Sequence, residues 1–182
     1  MVRKQKDYYA IVLPVAADVN IGSPTLVVPA SPKRLREKVE IFGRWFSREM
    51  RYSCVFEASD TPDKQWFTRY EAYLFHEDAE DLWDGNGTVK QRFFGACCFR
   101  WRERGNAPAY WTLQWVWLHP FFRGRGHLRD AWPIFEQKYG RFDPEGPFSC
   151  GMEIFLKKIG WLEPTHPMQS DAAQVPAPEQ GG

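Results

Sequence analysis

The sequence predicts an α+β domain built on a central, mostly antiparallel twisted sheet flanked by helices. Three features of the chain predict it. Residues 69–77, 91–102 and 110–118 read as successive strands joined by short turns, which is an antiparallel meander. Stretches before and after the meander carry apolar residues at helical spacing. The chain has 182 residues, 43% of them hydrophobic and 26% charged, which suits one domain, or one domain with a tail.

Residues 7–13 form a short apolar stretch, expected as a buried strand. A connection rich in Pro, Gly and Ser follows, with residues 25–28 extended. The first helix is expected after Ser31, an effective N-cap, with Pro32 in the first turn, where proline is tolerated. Leu35, Val39, Phe42 and Phe46 fall on one face of it, and Arg34, Lys38 and Arg48 on the opposite, solvated face. Asp60-Thr61-Pro62-Asp63 reads as a turn or a helix start. Asp84-Gly85-Asn86-Gly87 is a turn between strands. Residues 93–99 are continuously apolar, as in a strand covered on both faces. Residues 104–108 make the next turn, and Pro120 ends the third strand.

Leu128, Ala131, Trp132, Phe135 and Tyr139 then form a helical stripe closed by Gly140. Pro133 inside this helix removes a backbone bond and is expected to kink it, at about 3 kcal/mol unless compensated. Residues 141–143 read as a short strand. After the turn at 144–147, a last helix is expected to bury Phe148, Met152, Phe155 and Ile159 and to stop at Gly160. From residue 163 onward the chain has little to bury. The expected organisation is therefore a domain over residues 1–162 and an unstructured tail over 163–182.

With 24 Lys and Arg against 23 Asp and Glu, the net charge is +1, which gives no general attraction to nucleic acid or acidic lipid. No apolar run reaches the roughly 18 residues that span a bilayer. Cys54, Cys97, Cys98 and Cys150 show no Cys-x-x-Cys spacing, and the four histidines show no zinc spacing, so no metal site is expected. The N-terminus lacks a signal-peptide pattern. A reduced, cytoplasmic protein is the expectation.

The chemistry lies after the third strand. Arg123-Gly124-Arg125-Gly126 leads from a strand into a helix, a design that binds phosphate: glycines turn backbone N–H groups toward an anion, and the helix N-terminus adds roughly half a positive charge. Two glycines making a tight turn, with solvated arginines, is the alternative. The loop is neither a P-loop nor a dinucleotide fingerprint, because position 129 is Arg.

The run Leu118-His119-Pro120-Phe121-Phe122-Arg123-Gly124-Arg125-Gly126 resembles the signature of the GNAT superfamily of acyl-CoA-dependent N-acetyltransferases. Residues 70–75 resemble that family's second strand, and Arg92-Phe93-Phe94-Gly95 the opening of its third. Ser149, Met152, Phe155 and Leu156, followed by Ile159-Gly160-Trp161, are similar to its fourth helix. The resemblance covers residues 69–161. It implies a GNAT-like fold and acetyl-CoA as co-substrate. The pyrophosphate would lie on Arg123, Gly124, Arg125, Gly126, His127 and Leu128, the pantetheine arm on Val116, Leu118 and Ser149, and an acceptor amine would attack the thioester.

Three departures accompany the resemblance. Leu128 stands where the signature ends in Gly or Ala, Leu156 stands where a tyrosine commonly protonates the leaving thiolate, and the C-terminal strands are truncated. Another segment, or a second copy in a homo-oligomer, would complete the sheet. Candidates for the general base are His119, Glu71, Glu153 and Asp143, with His119 ranked first for its place beside the motif. The acceptor is a protein lysine, a protein N-terminus or a small amine. A non-catalytic acyl-CoA-binding or interaction module on the same fold is the main alternative, and an arginine-based nucleic-acid module the weaker one.

Overall fold

The computed structural model describes residues 12–17, 22–52, 56, 58, 69–83, 85–87, 89–104 and 107–162. It is α+β, with a mostly antiparallel open sheet. Strands β1 (Val15–Ala16), β2 (Thr25–Val27), β3 (Tyr70–Asp78), β4 (Gln91–Arg104), β5 (Ala107–Leu118) and β6 (Asp143–Pro144) form one sheet of order β2-β3-β4-β5-β6, with β1 paired to the start of β4. Every pairing is antiparallel except β5 with β6. The helices are α1 (Lys33–Met50), α2 (His127–Tyr139) and α3 (Cys150–Lys158). The chain divides into two compact units, residues 1–147 and 148–182, so α3 belongs to the second.

The meander forms as the alternation of residues requires, and β4 lies at its centre, with residues 93–99 all buried. Adjacent residues of β4 serve opposite faces. Ala96 and Cys98 join Val39, Phe42, Phe46, Trp115 and Trp117 in the core beneath α1. Phe42 stacks on Trp117 at 5.7 Å and Phe46 on Trp115 at 5.9 Å. Phe99 faces the other way, against Phe135 and Tyr139 of α2 at 5.1 and 4.2 Å. Burying rings on both faces gives the sheet most of its driving force, about 25 cal/mol for each Å² of apolar surface removed from water.

Gly95 shows why glycine is required at that position. A Cβ there would overlap Leu118 Cδ2 and lie 2.6 Å from the Trp117 carbonyl oxygen and 3.0 Å from Leu118 Cα. The close approach of β4 and β5 at this register pair leaves no room for a side chain.

Several expectations need correction. Val12 is 92% exposed, and neither it nor Leu13 is in a strand; among the described residues the first strand begins at Val15. Residues 7–11 and 60–63 lie outside the described residues. Ser31 does not cap α1: its hydroxyl accepts from Val28 N at 3.0 Å, and Pro32 holds the cap position. Lys38 and Arg48 lie over the rings of Phe93 and Trp45 instead of only meeting solvent. The hairpin strands run on to Arg104 and from Ala107, and residues 105 and 106 of the expected turn at 104–108 lie outside the described residues. Pro133 does lie inside α2 (His127–Tyr139), as expected, and is exposed there. The short strand is Asp143–Pro144, not 141–143.

In α3 the buried residue is Leu156, while Met152 and Phe155 are half-buried; Phe148 and Ile159, also half-buried, lie outside the helix at its two ends. The spacing identifies the right side of the helix, but this nine-residue helix gathers its burial on one residue. The expected tail lies outside the described residues.

Candidate functional site

The fourth and sixth strands both pair with β5, but over different lengths. β4 follows it from Ala107 to Leu118, whereas β6 pairs only Thr112 with Asp143 and Leu113 with Pro144. The last contact is Glu145 N donating to Leu113 O at 2.9 Å. Beyond it, the outer edge of residues 114–118 has no strand partner among the described residues. The pairing with β4 also skips a residue here: Cys98 pairs with Trp115 and Phe99 with Leu113, so Gln114 sits in a bulge, 6% exposed. Bulges twist a strand and re-aim its groups.

Alternation along β5 decides which backbone groups meet the open edge. His119 N donates to Phe94 O at 2.8 Å, so the odd-numbered residues of this stretch face β4. Val116 and Leu118 therefore turn their N–H and C=O groups outward. Leu118 O confirms this direction by accepting from Arg123 Nε at 2.8 Å.

The strand leads into a 3-10 turn, Pro120–Phe122, and then into the glycine-arginine loop. Gly124 and Gly126 have φ of 72° and 90°, values that glycine tolerates best. The first bond of α2 is Asp130 N to Gly126 O, and no side chain caps the helix. The amides of residues 127–129 therefore have no acceptor within the helix, as at any uncapped N-terminus. A Cβ on Gly124 would meet nothing within 4 Å. The loop offers donors and open space.

The two loop arginines differ. Arg123 donates from Nη1 and Nη2 to Glu49 Oε1 and Oε2, both at 2.6 Å, and lies over the Trp117 ring. Glu49 also accepts from Trp117 Nε1 at 2.8 Å. Burial pushes the Glu49 carboxyl up, but the bonds and charge of Arg123, with the Trp117 indole, outweigh it and hold its pKa below the usual range. Arg123 is thus neutralised from α1. Arg125 is exposed and contacts the Phe122 ring, with its guanidinium 5.5 Å from the centroid. His127 packs its ring 4.6 Å from Phe94, and Leu128 is half-buried.

The candidate bases lie in four different settings. Glu71 of β3 accepts from Tyr139 OH at 2.8 Å and pairs with Lys138 at 3.1 Å. Asp143 is exposed on β6. Glu153 lies exposed in the first turn of α3 and Ser149 caps that helix, accepting from Met152 N at 3.2 Å. His119 is 3% exposed, and its Nδ1 accepts from Phe121 N at 3.3 Å. That bond leaves the neutral ring with its proton on Nε2, which has no partner among the described residues. Burial, and then the charge of Arg123, lower its pKa, so the ring is neutral near pH 7. Its free nitrogen is a donor, which suits it poorly to act as the base ranked first from sequence.

Sequence reasoning missed Glu49 and Glu145. Glu145 receives Arg102 Nε and Nη2, both at 2.7 Å, where β6 leaves β5. Neither carboxylate belongs to a motif; each becomes informative only once the strands are paired. Among the described residues no cluster of three His, Cys, Asp or Glu could hold a metal, and no helix is long and apolar enough to cross a membrane. No family model matches the chain, and no curated protein matches it.

Proposed function

We propose that this chain is an acetyl-CoA-dependent N-acetyltransferase with a GNAT-like fold. The observation that carries the reading is the parting of β5 and β6 after Leu113, which opens a strand edge leading directly into the uncapped N-terminus of α2. An extended arm with amides can add to such an edge, and a phosphate anion suits such a terminus. Val116 and Leu118 would hold the pantetheine arm, and the amides of residues 124–129 the pyrophosphate. Arg125 would add charge there, while Arg123 would fix the loop against α1. Bound acetyl-CoA supplies an activated acyl group for an amine. The chain's own contribution is to position that group and to offer backbone donors beside it.

A second reading, a non-catalytic acyl-CoA-binding module, is favoured by one set of observations. Glu49, Glu71 and Glu145 are each tied to a cation, and His119 presents a donor. Calorimetry with acetyl-CoA, followed by measurement of CoA thiol release with a panel of amines, separates the two. Binding with amine-dependent release supports the transferase. Binding without release supports the module, and absence of binding overturns both.

A further inference from the structure

Beside the closed end of the β5–β6 gap lies a pair of arginines with unequal partners. Arg100 and Arg102 alternate onto one face of β4, opposite Thr112 and Tyr110 of β5. It is the α1 face, since Arg100 also registers with the core residue Tyr70. Arg102 is satisfied by the two-pronged pair with Glu145. Arg100 is half-buried, and among the described residues its guanidinium has neither a hydrogen bond nor an ion pair. The charge of Glu145 favours that of Arg100 without outweighing the opposing effects, and both its oxygens are bonded to Arg102. Burial and the neighbouring Arg102 both disfavour the charge on Arg100 and lower its pKa. Tyr52 lies near enough to both arginines to act on their charges.

A half-buried guanidinium beside a like charge is costly unless an anion meets it. Two arginines against one glutamate leave one positive charge, which matches a single carboxylate better than a doubly charged phosphate. The planar fork of arginine suits a carboxylate in two-pronged geometry. Thr112, directly across from Arg100, is the residue that pairs with β6 just before the strands part. The site therefore borders the gap at the end away from the glycine-arginine loop.

We propose that Arg100 binds a carboxylate of the acceptor, so that the acceptors are amines that also carry a carboxylate, amino acids in the first instance. This rests on the transferase reading for the word acceptor, but the binding site can be tested without acetyl-CoA. The experiment titrates the common free L-amino acids and their C-terminal amides into protein labelled with 15N at arginine, and follows the side-chain Nε signals. At least one amino acid should move the Arg100 signal along a saturating curve, its amide should not, and Arg125 should stay in place. Arg100→Lys keeps the charge but loses the fork. It should weaken that amino acid about tenfold, read on the Arg102 signal, with an unchanged thermal midpoint.

An amide that moves Arg100 as far as its acid overturns the proposal, as does a panel in which no acid saturates or an unchanged affinity in Arg100→Lys. Saturable carboxylate binding without acetyl transfer would discard the transferase reading and keep the site. Acetyl transfer to amines regardless of a carboxylate would keep the transferase and overturn the proposal.

Discussion

Arg123 of the glycine-arginine loop and Glu49 of the first helix form a two-pronged ion pair, with both Nη–Oε distances at 2.6 Å. The pair joins residues 74 positions apart and ties the loop to the helix across the end of β5. Trp117 completes it by donating to the same carboxylate. Replacing Glu49 by Gln removes the charge and one of the prongs while keeping an acceptor for Trp117. Because both partners are partly exposed, the expected loss of stability is about 1–2 kcal/mol. Equilibrium denaturation measures it, and no loss would reduce the pair to a surface contact.

Arg123 and Arg125 look equivalent in the sequence, and the structure separates them. Arg123 is balanced by Glu49, while Arg125 has only a ring contact among the described residues. Arg125→Glu should therefore weaken acetyl-CoA binding by about tenfold or more, whereas Arg123→Gln should change it less, with its main effect on stability. Calorimetry on both variants decides it. Equal losses would mean that the loop arginines act as one cluster.

How far the sequence carries the structure depends on the range of the interactions. The meander, both long helices and the C-cap at Gly140 are legible because periodicity and glycine signals are local. The ends of the elements are less so. Ser31 is a good cap residue, but its hydroxyl serves the preceding turn, a choice made by three residues of chain geometry. The site is legible as a loop and not as a network. Glycines 124 and 126 stand out by spacing, and the outward residues Val116 and Leu118 follow from strand alternation once the register is known. Glu49, Glu145 and Arg100 matter only through partners brought from 43 to 74 residues away, or, for Arg100, through the absence of one among the described residues. No window of sequence contains such information.

Gly95→Ala tests the tight contact between β4 and β5. The added methyl would meet the Trp117 carbonyl and Leu118 Cα, and neither backbone can yield without moving the strand. A loss of about 2–3 kcal/mol is expected, as for overpacking against backbone. Gly124→Ala faces open space and should cost only its positive-φ strain, about 1 kcal/mol. The order of the two thermal midpoints is the measurement. A Gly95 variant as stable as the Gly124 variant would show that the strands can separate at this point.

His119 supplies the last prediction, through pH. Its pKa in the folded chain lies below the ordinary 6.5 because the ring is buried and close to Arg123. Between that lowered value and 6.5 the unfolded chain binds more protons than the folded one, so stability falls as pH falls through 6.5 and levels off below the folded pKa. Glu49 acts in a separate window: its lowered pKa gives stability above the ordinary carboxylate range that is lost only on further acidification. His119→Asn keeps an acceptor for Phe121 N and removes the titration, so the loss between about pH 7 and 5 should shrink while the more acidic loss remains. The same variant bears on catalysis. With its Nδ1 engaged, His119 cannot take a proton from an amine without breaking the turn that leads into the loop. The ratio of kcat/KM between wild type and His119→Asn should therefore stay constant across pH, once an acceptor is in hand. A variant that recovers toward wild type at high pH would restore His119 as the general base.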